Sequence, residues 1–369
     1  MIPSFILFFA TLLSLLFAVH YVAYKTLVSI FVLTNVQLVL WLKVIFILLT
    51  LSFIVSSILT RNYDTFLTRL FYTMSVVWLG FLLYLFLAGV IYGLIVYVSL
   101  YLIPSIPALL IGRVLIVIAV LVGVYGLLNA RDIKTTEVTM WLPNLPDSWK
   151  GRKAVFISDV HLGQVNGVKF SRKVVNKIQE INPDLILNAG DFYDGPKVDP
   201  VSVAKPFSEL RPPLGHFYVA GNHEEYGDTP GFMAAVKSFG FTVLNNEKVE
   251  VDGLQIAGVD YVTTTKQAEF ERILKDIKLE EDKPSLLIKH VPLNLETAEE
   301  AGVDLQVSGH THRAQVFPLS LITKAVYKGY DYGLKPLGAL QVLVTSGAGT
   351  WGPPLRVGTK SEIVVITFK

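Results

Sequence analysis

The chain opens on apolar runs too long for a globular core and continues in short ones separated by polar stretches. A helix crossing ~30 Å of hydrocarbon needs about 20 apolar residues. Four stretches reach that length: residues 3–24, 36–59, 72–103 and 106–129. The third is long enough to tilt or to begin at the interface, and Pro104 and Pro107 punctuate the turn into the fourth. The first lacks a basic start and exceeds the apolar core of a signal peptide, so it reads as an uncleaved span. Gly89 and Gly93 form a small-xxx-small pair that would let two helices approach closely. Beyond His20 and Lys43 the spans hold almost no ionisable residue, which argues against an ion or proton pathway. Lys43, close to Trp41, reads as an interfacial anchor.

The pattern changes after Arg131. Short strand-like runs are expected at residues 153–157, 185–187, 216–220, 241–244, 254–257, 286–288, 305–307, 341–344 and 363–368. Between them, Val168, Val174, Val175 and Ile178 fall on one face of a helix, and residues 232–239 and 268–277 are helical as well. So many strands do not fit one simple parallel sheet. The expected fold is α/β: two mixed β-sheets packed as a sandwich flanked by helices, preceded by an all-α four-helix transmembrane region. The corresponding domains are residues 1–130, a juxtamembrane linker at 131–152, and a catalytic domain at 153–369.

Composition agrees with this division. Hydrophobic residues make up 52% and charged residues 17%, too apolar for a wholly soluble protein. A net charge of +2 does not give the strongly basic face that nucleic-acid binding needs. With no cysteine, a metal would be held by His, Asp, Asn or Glu. An even number of spans puts the N-terminus and the catalytic domain on one side. That side carries Arg61, Arg69, Arg131 and Lys134, against Lys25 and Arg113 on the other. The bias predicts a multi-pass protein of the plasma or inner membrane with its catalytic domain in the cytoplasm.

Polar residues follow five of the strands directly. Asp159 and His161 follow the first, Asp191 and Asp194 the second, and Asn222, His223 and Glu224 the third. His290 follows the sixth, and His310 and His312 the seventh. Each motif alone is weak. Together they take up five of the seven histidines, leaving His20 and His216 outside. Ligands of open α/β folds bind at the carboxyl ends of strands, so one convergent site is expected.

The ordered set Asp-x-His, Gly-Asp, Gly-Asn-His-Glu, His and Gly-His-x-His resembles the calcineurin-like metallophosphoesterase superfamily, from about Lys153 to the C-terminus. The tail from Ser346 to Arg356, with Glu362 and Ile363, is similar to the bacterial membrane-associated branch of YaeI- and YkuE-type phosphodiesterases. Arg313 and Ala314 depart from that branch, where small glycines are common after the last histidine. The resemblance implies two divalent metal ions. One would be held by Asp159, His161, Asp191 and His312, the other by Asp191, Asn222, His290 and His310, with Asp191 bridging.

Donors of nitrogen and oxygen alone suit Mn, Fe or Zn. Two metals ~3.5–4 Å apart clamp the attacking and leaving oxygens of an in-line displacement and lower the pKa of a bridging water. His223, beside the ligand Asn222, is left as a general acid for the leaving oxygen, with Glu224 or Asp194 orienting histidines. Catalysis is therefore assigned to His223 and Asp191, and substrate binding to Arg313 and Asn222. Arg313 either reaches a phosphate or is simply solvated. The segment at 317–340, with Leu319, Leu321, Ile322, Tyr327, Tyr330, Tyr332, Lys324 and Lys328, either packs on the core or forms a membrane-facing lip. Expected partners are membrane lipids and a phosphoester substrate, lipid-linked or, as the alternative, a soluble one such as a nucleotide. In the latter case the helices serve as sensor or anchor.

Overall fold

The computed structural model describes residues 2–195 and 198–369. It divides into two compact units, Met1–Leu128 with Gly352–Leu355, and Asn129–Trp351 with Arg356–Lys369. The first unit contains four helices long and apolar enough to cross a membrane: α1 (Ile2–Ile30), α2 (Val36–Asn62), α3 (Phe66–Tyr101) and α4 (Ala108–Arg131). Asn35 caps α2 by accepting from Leu38 N, and Thr65 caps α3 by accepting from Thr68 N. These caps serve backbone donors that the first turn leaves unpaired. At 36 residues, α3 is ~54 Å long, well beyond the hydrocarbon thickness.

Small residues let the helices close up. A Cβ at Gly89 would meet Thr26 of α1 at 2.5 Å, whereas one at Gly93 would meet nothing. The expected glycine pair thus works through one member only. His20 is buried, with Nδ1 2.8 Å from Leu16 O and Nε2 accepting from Trp78 Nε1 at 3.0 Å. It is a satisfied packing residue.

The second unit is a sandwich of two six-stranded mixed sheets. One runs in the order β1 (Ile133–Met140), β12 (Ser361–Phe368), β2 (Lys153–Ile157), β3 (Leu185–Asn188), β4 (His216–Tyr218), β5 (Thr242–Val243). The other runs β10 (Gly333–Leu337), β11 (Leu340–Val344), β9 (Leu305–Ser308), β8 (Ser285–Lys289), β7 (Leu254–Val259), β6 (Glu247–Val251). β2, β3 and β4 are mutually parallel, as are β7, β8 and β9.

Alternate residues of the strands fill three layers, as the period of two requires. Ala154, Phe156, Leu187, Ile256, Ile288 and Val307 meet between the sheets. Val155, Ile157 and Ile186 face outward onto Val174, Val175 and Ile178 of the Val168–Ile181 helix. Ala257, Val259 and Leu287 face the other way, onto Phe270 and Leu274 of the Gln267–Ile277 helix.

One stretch expected as linker is strand. Within 131–152, residues 133–140 form β1, paired in parallel with β12 along its full length. β6 and β10 were likewise not expected. All three are sheet edges.

Candidate metal centre

Five strands stop at one place and deliver their next polar residues there. β2 leads to Asp159 and His161, β3 to Asp191, β4 to Asn222 and His223, β8 to His290, and β9 to His310 and His312. The turns are tight enough that Asp159, His161, Asp191, His310 and His312 all take left-handed backbone, with φ between 47° and 68°. Such conformations cost non-glycine residues about 1–3 kcal/mol each. Surrounding hydrogen bonds hold them: Asp159 N donates to Gly190 O at 2.9 Å and His161 N to Asp191 O at 3.0 Å. Close approach requires glycine at two points. A side chain at Gly190 would run into the Gly221 backbone, and one at Gly309 into Ser158 and the Asp159 carboxylate.

All seven residues expected as ligands converge, in two groups. In the first, His161 Nε2 lies 2.9 Å from His312 Nε2, which lies 3.3 Å from Asp159 Oδ1. In the second, His310 Nδ1 lies 2.9 Å from Asn222 Oδ1 and 3.1 Å from His290 Nε2. Asp191 Oδ2 stands between the groups, 3.1 Å from His290 Nε2 and 3.9 Å from His161 Nε2.

Burial and neighbouring charge set the protonation of the cluster. Burial holds His161 at about 4 and His310 at about 3, hence neutral, the metal-binding form of imidazole. Burial also opposes charge on His290, but the Asp191 carboxylate beside it raises it to about 9. Asp191, despite burial, is drawn well below the usual carboxylate range by His290, His161 and His223. His290 and Asp191 are thereby held as a buried ion pair.

The imidazole contacts of 2.9 and 3.1 Å suit either an N–H···N hydrogen bond, one neutral ring donating, or a cation held between two lone pairs. His290 Nδ1 lies 2.7 Å from Ala189 O, a contact that uses its N–H and leaves Nε2 free as a ligand. His161 Nδ1 is buried with no hydrogen-bond partner among the described residues. A set of imidazole, carboxylate and amide oxygen donors fits Mn, Fe or Zn.

His223 flanks the first group, its ring 4.6 Å from that of His161 and its Nε2 4.0 Å from Asp191 Oδ2. Its Nδ1 is 3.0 Å from Asp194 Oδ1, its side chain is 18% exposed, and its backbone N donates to Asp191 Oδ1 at 2.9 Å. Burial works against its charge, but Asp194 and then Asp191 outweigh it, raising the imidazole to about 9. Asp194 therefore orients a histidine, as expected of it. Glu224 does something different: its buried carboxylate accepts from Asp191 N, Phe192 N, Tyr193 N and Gly221 N. It fixes the backbone of the Asp191 loop and binds no histidine. Arg313 is neither free in solvent nor aimed at a carboxylate. Its guanidinium lies over the Tyr332 ring at 4.8 Å. His216, outside the motifs, is buried against Phe241 with ring centroids 3.6 Å apart.

Sequence reasoning missed Arg356 as part of the site. It is fully buried, with Nη1 donating to His312 O at 3.0 Å and Nη2 to Ser346 O and Gly349 O, both at 2.6 Å. The two short carbonyl contacts use both Nη2 hydrogens, so the 3.3 Å approach to His312 Nδ1 does not set that ring's tautomer. A guanidinium gathering carbonyls from two loops is the physical tie between His312 and the 346–349 turn. Its only sequence signal was its place at the end of the tail motif.

Residues 152–314 match the family model described as calcineurin-like phosphoesterase. An "uncharacterized metallophosphoesterase" of Helicobacter pylori is 34% identical over 66% of this chain and 65% of its own length. A "transmembrane protein with metallophosphoesterase domain" of Danio rerio is 30% identical over 69% of this chain and 62% of its own. The metallophosphoesterase YkuE of Bacillus subtilis is 30% identical over 67% of this chain and 90% of its own. The chain spans just under two thirds of the first two relatives' length.

Proposed function

The chain belongs to the calcineurin-like phosphoesterase family, and from that premise we propose that it is a membrane-anchored, dinuclear metallophosphoesterase. It hydrolyses phosphodiester or pyrophosphate bonds of a lipid or lipid-linked substrate. One observation carries the reading: Asp159, His161 and His312 gather on one side and Asn222, His290 and His310 on the other, with the Asp191 carboxylate between them. Asp159, His161, Asp191 and His312 would hold one divalent cation; Asp191, Asn222, His290 and His310 would hold the other. When bound, such a pair neutralises the ester's charge and lowers the pKa of the attacking water.

The chain's own residues supply the rest. His223, held by Asp194, donates a proton to the leaving oxygen. Arg313 swings from the Tyr332 ring to meet a phosphate oxygen, and the Asn222 amide donates to another. Four apolar helices keep the centre in a chain tethered to a bilayer, where lipid esters are concentrated. The Lys and Arg bias of the short loops favours a cytoplasmic position for the catalytic unit.

Metal analysis of the purified chain, with turnover measured on a matched panel of bilayer-embedded and soluble phosphoesters, tests the reading. Two equivalents of a transition metal and preference for the embedded esters are expected. Equal turnover of both ester types, unchanged when residues 1–130 are deleted, would overturn the lipid substrate and favour a soluble one such as a nucleotide. A metal-free chain would overturn the whole proposal.

A further inference from the structure

Between the last histidine and β10, the catalytic unit carries an apolar surface that the metal centre does not use. The Ser320–Val326 helix buries none of its residues. Leu321 is 60% exposed, Ile322 59% and Val326 62%, with Leu319 and Leu334 also exposed. Positions 321, 322, 325 and 326 are one helical stripe, since residues four apart share a face. Elsewhere in this unit, among the described residues, the exposed large apolar side chains, Trp141, Val168, Val201, Tyr226, Val262, Leu293 and Trp351, come from separate segments of the chain. Isolated exposed apolar residues are ordinary, but a contiguous set is not.

The segment's own charges are nearly all of one sign. From 313 to 340 the chain carries Arg313, Lys324, Lys328 and Lys335 against Asp331 alone, and Asp331 is buried. An apolar helical face with lysines at its border and no exposed acid is the composition of a segment lying in an anionic membrane interface. The segment also adjoins the centre. It follows the His312–Ala314 turn directly, and the Tyr327 ring at its end lies 6.3 Å from the His310 ring.

We propose that the Leu321, Ile322 and Val326 face of this helix inserts into the headgroup region of the anionic bilayer that holds the spans. The metal centre would then work at the membrane surface. This rests on the membrane-anchored reading but not on the identity of the substrate or on turnover. A bilayer is the favoured occupant because the chain is already tied to one by four apolar helices. A second copy of the chain is the competing occupant.

The chain has no native cysteine, so single reporters can be placed cleanly. Ile322→Cys and Val326→Cys, labelled with a polarity-sensitive fluorophore, are placed in the full chain at one chain per anionic nanodisc. Arg272→Cys, on the exposed face of the Gln267–Ile277 helix, serves as reference. Interfacial helices sit about 5–10 Å into the headgroup and acyl boundary. Nitroxide lipids spin-labelled near the headgroup should therefore quench about half or more of the emission at 322 and 326, and little at 272. Adding Lys324→Glu with Lys328→Glu should reverse most of that quenching. Quenching at 322 and 326 no greater than at 272 overturns the proposal, and with one chain per disc a face meant for a second copy gives that result. The readout needs neither metal nor substrate, so its failure is separate from failure of the esterase reading.

Discussion

The two units treat their polar atoms in opposite ways. In the bundle, Thr50 Oγ1 donates to Phe46 O, Ser57 Oγ to Phe53 O and Thr60 Oγ1 to Ser56 O, each within one helical turn. His20 has a partner at both ring nitrogens. Lipid offers no hydrogen bonds, so a spanning helix must satisfy such groups internally. In the second unit, by contrast, four histidines crowd Asp159 and Asp191, and imidazole nitrogens face each other within 3.1 Å. A buried polar group that finds its partner in its own helix is packing. Buried nitrogen and oxygen atoms gathered from five strand ends form a donor set suited to a cation.

The sharpest way to break that contrast is Asp191→Ala. It removes the one carboxylate standing between the groups. Both metals should be lost from the purified chain and turnover should fall by about three orders of magnitude. The bundle should keep its helicity. Full metal occupancy in this variant would show that the two groups do not share a ligand.

His223→Gln should separate metal binding from proton transfer. Metal content should match the wild type, while kcat drops about a hundredfold or more. As a donor, His223 must carry its proton, so kcat is level at low pH and declines as pH rises through its pKa. Asp194 is the main contact holding that pKa up, so Asp194→Asn should move the alkaline limb to lower pH. A limb that stays in place would assign it to another group.

The same contrast explains what the sequence made legible. Long apolar spans and strand-end histidines are local signals, readable from hydropathy and from a motif. The three unexpected strands, β1, β6 and β10, are all sheet edges. Their exposed positions include Lys134, Glu137 and Glu247, and Pro336 interrupts β10, so the alternation is thin. Edge strands are protected by such charges and prolines, and the protection hides them. Glu224 and Arg356 were obscure for another reason. Nothing local distinguishes a carboxylate that collects four backbone N–H groups, or a guanidinium that collects carbonyls, from a solvated surface charge. Only the tertiary fold buries them.

Arg356→Met tests whether that burial is structural. It would leave Ser346 O and Gly349 O without their guanidinium donor, while His312 O keeps Gln315 N, at a cost of about 2 kcal/mol. The denaturant midpoint of the full chain in detergent should fall accordingly. Arg356→Lys should recover only part of the loss, because an ammonium cannot span those carbonyls as the planar fork does. A midpoint unchanged in Arg356→Met would mean that the loop is held by other contacts.

The smallest effect is expected where the bundle is already self-sufficient. Trp78→Phe removes the indole N–H that His20 Nε2 accepts but keeps an aromatic ring against Phe46. Hydrogen bonds between membrane helices are worth about 0.6 kcal/mol on average, because the unfolded helix also finds partners in the bilayer. The variant should therefore lose roughly that much stability in a detergent titration followed by circular dichroism. Metal content and turnover of a soluble ester should not change. If turnover fell with stability nearly intact, the contact between α1 and α3 would be acting on the catalytic centre, and the helices would be more than an anchor.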